Sequence, residues 1–273
     1  MTEYSYQIDP RPETLGGGYR LRLLCDGAEV GGGVFPADAS NADAYEAAIA
    51  EASAWLASRS QASSSCHMLT FSGRDYLPTQ MVPADVHIED VAHALSLICR
   101  FGGHTEVHYS VAQHSLLVVR ILDGLGAPRE AMLCGLMHDA HEAYVGDVPT
   151  PIKALLGATW AEVEHQAEVA VLAAFGLERA MTDWRELIRH ADRIALATER
   201  RDLMCFDAGR NRPWTLLTGV EPHPLPATEG GWTPEWWAAL FLDQFRRLGG
   251  VQIHPVHAAI YTPARSGVSI HQP

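Results

Sequence analysis

Between Tyr19 and Cys25 the chain reads YRLRLLC, with apolar and polar residues alternating at the period of a strand. Asp26–Gly27 follows as a turn signal, and AEVGGGVF can return as a second strand. From Asn41 to Ser58, NADAYEAAIAEASAWLAS takes the spacing of an alanine-rich amphipathic helix. Residues 1–62 therefore read as a small ββα appendage, and SRSQASSS, Ser58 to Ser65, reads as a linker. From Met68 onward the pattern is mainly helical. It predicts helices over Glu89–Cys99, Tyr109–Leu122, Glu130–Tyr144, Trp160–Phe175 and Trp184–Phe206. A sixth, TPEWWAALFLDQFRRLGG, starts with Thr233 as its cap and Pro234 in its first turn, and stops at glycines. Residues 207–232, rich in Pro and Gly, read as irregular. The expected organisation is an appendage over 1–62, a helical domain over 63–250 and a tail over 251–273.

Composition narrows the function classes. The 273 residues are 47% hydrophobic, enough for a sizeable core, and carry a net charge of −13. An acidic surface argues against broad nucleic-acid or anionic-membrane binding, but leaves room for a locally positive pocket that takes a small anion. The five cysteines are scattered with no C-x-x-C, which fits a reducing cytoplasm. The start MTEYSYQIDPRPE is polar and acidic, unlike a signal peptide, and no apolar run approaches the roughly 20 residues of a membrane helix.

The stretch LCGLMHDAHEAYVGDVPTP, Leu133 to Pro151, begins as a buried helix and then sets down His138, Asp139, His141 and Glu142. Unpaired charge is costly to bury, so such groups stay in water, find partners or hold a metal. His114 opens QHSLLVVRIL on the face of Leu117, Val118 and Ile121, and Asp192 lies in RHADRIALATERRDL. The order H…HD…D thus falls on three predicted helices. Two imidazoles and two carboxylates suit a divalent metal that keeps one or two positions for water and lowers its pKa. Glu142, one turn after His138 on the same predicted helix, is placed for general acid or base work without being a ligand. Taken singly, each residue has a blander reading: a satisfied core histidine, a common HD pair, a solvated glutamate. The combination carries the metal reading. TERRDLM, Thr198 to Met204, reads as a charged surface or interhelix salt-bridge face, and WTPEWW as core or oligomer contact.

Four words, ICRFGGHT (Ile98 to Thr105), YSVAQHSLLV (Tyr109 to Val118), LMHDAHEAYVGDVPTPIK (Leu136 to Lys153) and HADRIALATE (His190 to Glu199), resemble the HD-domain phosphohydrolase superfamily. They look most like the branch containing bacterial 5′-deoxynucleotidases and phage dATP triphosphohydrolases. The resemblance covers residues 68–250 and stops short of the appendage. It implies a mainly α fold, an all-helical HD domain carrying the small α+β unit, with His114, His138, Asp139 and Asp192 as metal ligands. Glu142 matches the carboxylate that activates water or protonates the leaving group, and Asp147 the acid near the sugar. Lys153 matches a phosphate-contacting lysine, Arg100 an arginine near substrate, and Arg189 a position that is often basic. Phe101 falls where a residue packs against the base. His104 is the best functional candidate among His87, His93, His104 and His108, the others reading as pocket-lining or structural.

The implied activity is metal-dependent nucleotide hydrolysis, in which a metal-bound water attacks the α-phosphate of a deoxynucleoside mono- or triphosphate. The implied cofactor is one divalent ion, Co, Mn, Ni, Fe, Zn or Mg. The implied partners are a small nucleotide substrate and further copies of the chain. The alternatives are a phosphodiesterase acting on another phosphoester, or a non-catalytic, metal-containing nucleotide-sensing module. The diguanylate-type words HDxGK and GYP are missing, and Glu142, Asp147 and Lys153 would be superfluous in a scaffold.

Overall fold

The computed structural model describes residues 4–37, 41–65, 67–228, 230 and 232–253. The chain divides into two compact units, Met1–His67 and Met68–Pro273.

In the first unit the alternation of YRLRLLC buries Leu21 and Leu23 on one face of β2 (Tyr19–Cys25). β3 (Ala28–Phe35) returns antiparallel across the Asp26–Gly27 turn. A further strand, β1 (Tyr4–Pro10), pairs with the other edge of β2, Ile8 opposite Leu21. The appendage is therefore βββα, and the ββα expectation missed its first strand. YSYQIDP does alternate, but as an edge strand it buries little, so its period-two signal is faint. α1 (Asn41–Ser65) covers the sheet through Ala52 and Trp55, against Leu21, Leu23, Ile8 and Phe35. The helix continues through SRSQASSS, which was expected to be a linker. That segment contains no Gly or Pro to stop it.

The second unit opens with a short hairpin, β4 (Met68–Leu69) and β5 (Asp75–Tyr76). The helices follow: α2 (Ile88–Leu97), α3 (Val111–Gly124), α4 (Arg129–Met137), α5 (Glu142–Val145), α6 (Thr150–Leu156), α7 (Ala158–Phe175), α8 (Glu178–Asp183), α9 (Arg185–Leu203) and α10 (Pro234–Arg247). The main core joins α2, α4, α7 and α10 through Val91, Leu95, Leu136, Met137, Phe175, Phe241 and Phe245. A second cluster joins α3 to α9 through Leu117, Val118, Leu122, Ala191, Ala195 and Leu203. α3 thus belongs to both cores and is covered nearly all round. Each fully buried Leu or Phe contributes roughly 1.5–3 kcal/mol, so α3 is held firmly.

Two expectations need correction in this unit, and a third, WTPEWW as core or oligomer contact, holds for Trp237 in the core. The helix expected over Glu130–Tyr144 is broken: α4 ends at Met137, and the next amides reach back three residues, Ala140 to Met137 and Glu142 to Asp139. This tightened turn contains neither Pro nor Gly, so nothing in the sequence marks it. The tail expected from Val251 starts later. Gln252 donates to the Val86 carbonyl at 2.9 Å, and the Ile253 amide to Ala174 at 3.0 Å. Residues 254–273 lie outside the described residues. Finally, Trp237 packs in the main core, whereas Trp232 and Trp236 are exposed and stacked on each other at 4.9 Å.

Candidate metal centre

The centre is built where α3, the end of α4 and α9 meet. A capping box starts α3: the Ser110 hydroxyl accepts from the Gln113 amide, and the Gln113 side chain accepts from the Ser110 amide. One turn in, His114 is wholly buried. α4 packs closely on α3 at Gly135: a Cβ there would stand 2.3 Å from Leu122 Cδ1 and 3.3 Å from Val118 Cγ1 of α3, so a larger residue would require those side chains to repack. In a continuous helix adjacent residues diverge by about 100°, and the tightened turn after Met137 instead brings both His138 and Asp139 toward His114.

The candidate ligand atoms converge. Nε2 of His114 lies 3.3 Å from Nε2 of His138, 3.4 Å from Oδ2 of Asp139 and 3.2 Å from Oδ1 of Asp192. Nε2 of His138 lies 3.1 Å from Oδ2 of Asp139. The atoms of His114, His138 and Asp139 fall within 4.8 Å of one another, so this group could hold a metal ion. The far side of each ring is committed. His114 Nδ1 is 2.6 Å from a Glu199 oxygen, and His138 Nδ1 is 2.8 Å from the Gly135 carbonyl. Carbonyl and carboxylate accept only, so both Nδ1 atoms donate. Each neutral ring then presents a lone pair at Nε2. Two lone pairs and two carboxylate oxygens face one space, which protons or a cation must occupy.

Glu199 is a residue of the candidate centre that the sequence reading did not single out. It was read within a charged surface or interhelix salt-bridge face, and the second of these fits it: it is wholly buried and paired with residues outside α9. It follows Asp192 by seven residues, two turns along the same face of α9. Its second oxygen accepts from Arg100 Nη2 at 3.2 Å. Arg100 is buried too, its Nη1 3.8 Å from Asp139 and 4.0 Å from Asp147. Burial and the Arg100 charge both push the His114 imidazolium toward losing its proton. The Glu199 and Asp192 carboxylates outweigh them and hold it up at about 10. Burial would likewise raise Asp139, but His138, His114 and Arg100 keep it well below the usual carboxylate range.

Glu142 opens α5, buried, with one oxygen lacking any hydrogen-bond partner. Burial first, then Asp139 and Asp147, push its carboxyl up to about 10. Asp147 also rises, chiefly through burial. Lys153, on α6, forms a close ion pair with Glu164 of α7, and His141 stands 3.7 Å from the same carboxylate oxygen. Phe101 and His104 follow Arg100 on its turn, Phe101 half-buried and His104 exposed. Arg189 is not brought to the centre. It is exposed on α9 and paired with Glu186 at 3.0 Å. Of the other histidines, His87 pairs with Glu89 and His93 stacks on Phe71.

No family model matches the sequence. The uncharacterized protein YfdR of Escherichia coli is 39% identical over 160 residues, which cover 59% of this chain and 80% of that protein. This chain belongs to the YfdR family. The uncharacterized protein RCAP_rcc00048 of Rhodobacter capsulatus is 35% identical over 142 residues, 50% of this chain and 71% of that protein. Neither name in the YfdR family carries an activity. Among the described residues no helix is long and apolar enough to cross a membrane.

Proposed function

We propose that the chain is a metal-dependent phosphohydrolase acting on nucleotides, releasing either phosphate from a nucleoside monophosphate or triphosphate from a nucleoside triphosphate. The observation that carries the reading is the set of acceptor atoms from His114, His138, Asp139 and Asp192, with both imidazoles turned by partners on their far sides. Two nitrogens and two oxygens suit a single divalent ion of the Mn, Fe, Co, Ni, Zn or Mg series. When bound, such an ion supplies an acidified water and charge neutralisation beside phosphorus.

The chain's own residues then divide the remaining work. Glu142 is buried near enough to feel the Asp139 and Asp147 charges, and its burial favours the protonated form, which suits a group that gives or takes a proton at the attacking or leaving oxygen. Arg100 faces the centre with its charge already shared among Asp139, Asp147 and Glu199. It orients these carboxylates and offers guanidinium positive charge to an incoming phosphoryl oxygen. Lys153 brings a second cation on a different element.

Product analysis tests this. The protein is stripped of metal, reloaded with Co²⁺ or Mn²⁺ and offered each deoxynucleoside monophosphate, triphosphate and ribonucleotide, with Glu142→Ala as the control. The expected result is nucleoside plus phosphate or triphosphate, lowered about 10²–10⁴-fold in the variant. No metal-dependent, Glu142-dependent turnover of any of them would sink the reading.

A further inference from the structure

The turn after Arg100 is bent in a way L-residues avoid. Phe101 has φ 56° and ψ 25°, and Gly102 follows at φ 61°. A bulky residue in this left-handed region is strained, and such strain collects where surroundings dictate a side chain's aim. The Arg100 amide donates to Tyr109 at 2.9 Å and the His104 amide to Phe101 at 3.1 Å, closing the turn. Its result is a half-buried Phe101 ring with the Arg100 guanidinium 5.2 Å from its centroid and the Trp214 ring 6.5 Å away.

Trp214 belongs to the segment after α9. Phe206 meets it edge-on at 6.3 Å, and the Arg200 guanidinium lies 4.5 Å from the Phe206 centroid and 5.7 Å from Trp214. Between this wall and His104 lies a cavity of about 420 Å³, lined also by Arg212. The wall is built before any ligand arrives. The Glu106 amide donates to Leu203 at 2.9 Å, and Asp207 staples its own turn by accepting from the Gly209 amide at 2.7 Å and from Arg210 at 2.9 Å.

We propose that this cavity binds the planar base of the substrate, stacked on the Trp214–Phe206 wall with His104 and Arg212 at its polar rim. The volume falls in the roughly 300–1,000 Å³ range of small-molecule sites, and aromatic faces beside a guanidinium accept any base. A nucleotide with its phosphate at the His–Asp cluster and its base here would cross Arg100 and Phe101, which join the two places. The proposal rests on the nucleotide reading above and specifies where the base goes.

Nucleoside binding tests it without catalysis. 2′-Deoxynucleosides are titrated into the metal-loaded full chain, read by tryptophan emission and by calorimetry in parallel. Saturable quenching is expected in the wild type. Trp214→Phe should lose the quench while binding persists, and Trp214→Ala should bind on the order of tenfold more weakly. The preference for nucleotide over deoxyribose 5-phosphate in kcat/KM should fall by a similar factor in Trp214→Ala, with metal content and melting temperature checked for folding. Nucleosides that do not bind, or that bind Trp214→Ala unchanged, would overturn the base site. So would a wild type that hydrolyses deoxyribose 5-phosphate as well as nucleotides, and in that case phosphohydrolysis itself would stand. Trp214-dependent binding with no hydrolysis of any phosphoester would keep the base site and sink the hydrolytic reading instead.

Discussion

Two sides of the same centre hold charge in different ways. On the inner side Arg100, His114 and Glu199 are buried among α3, α9 and the turn before α3, and each carboxylate oxygen of Glu199 has a partner. On the outer side Lys153 rides on α6, which has no buried residue and exposes Ile152, Leu155 and Leu156. The Glu164 ion pair is the polar tether seen for its side chain. Both sides pair a cation with a carboxylate, but only the inner pair is enclosed by packed helices. There a lost partner leaves a desolvated charge, whereas on the outer side water can take its place.

The largest expected effect follows from breaking the inner side. Glu199→Ala removes the nearest carboxylate from the Arg100 guanidinium and the Nδ1 partner from the His114 ring. Loss of one partner from a buried pair costs about 3–5 kcal/mol, and at roughly 2–4 °C per kcal/mol for a unit of this size the melting temperature should drop by on the order of 10 °C. Metal affinity, followed by calorimetry, should fall about 10–100-fold, because the ring no longer has its orienting carboxylate. A drop of only a degree or two, with metal affinity intact, would mean that Glu199 is bystander charge.

A second effect separates Glu142 from its neighbours in metal-free protein. The folded chain keeps the Glu142 proton up to about 10, while the unfolded chain releases it near 4.5. Between those values the folded state binds the extra proton, so stability declines as pH rises and levels off above the upper one. His114 is also raised and acts in the same direction, so the contrast between variant and wild type isolates Glu142. Glu142→Gln should flatten the decline in urea denaturation at pH 5, 7 and 9 with chelator present. An unchanged slope would show that Glu142 is already ionised.

The outer side should yield less again. Glu164 is held down at about 2, first by His141, against its burial, and then by Lys153. Its contribution is therefore present above about 4.5 and fades as pH falls toward 2. Glu164→Gln should cost no more than about 1 kcal/mol at neutral pH. Amide exchange should quicken over α6 and stay unchanged in α3. Slower exchange at Leu117 or Val118 than at Leu155 in both proteins would keep the two sides distinct, and global loosening would merge them.

The same contrast explains what could be read from the sequence. His114, His138, Asp139 and Asp192 stood out because ionisable residues interrupted apolar periodicity, and packed helices turn that anomaly into a convergence of side chains. Glu199 did not stand out. Arg200 and Arg201 follow it directly, and a run of charges reads as solvated until the seven-residue offset from Asp192 is set on a helix. The break after Met137 and the helix α6 were also hidden. One is a change of hydrogen-bond reach with no breaker residue, and the other is a short exposed turn between Pro149 and Gly157 that buries nothing and so leaves no period. The aromatic wall at Phe206 and Trp214 lies partly in a stretch expected to be irregular, where spacing says nothing about which rings meet.

The smallest effect belongs to Arg189, and its size is the point. One turn before Asp192, it would supply a cation if its side chain turned inward, as the sequence resemblance implied. It is instead well exposed and paired with Glu186 at i−3, an arrangement worth a few tenths of a kcal/mol at most. Arg189→Ala should therefore shift stability by less than about 0.5 kcal/mol in denaturant titration. The candidate metal ligand Asp192, one turn away, should remain in place, so metal affinity should match the wild type. A KM for nucleotide raised about tenfold with stability unchanged would show that Arg189 swings to the phosphate when substrate binds. The division between an enclosed inner side and a solvated outer one would then hold only for the ligand-free protein.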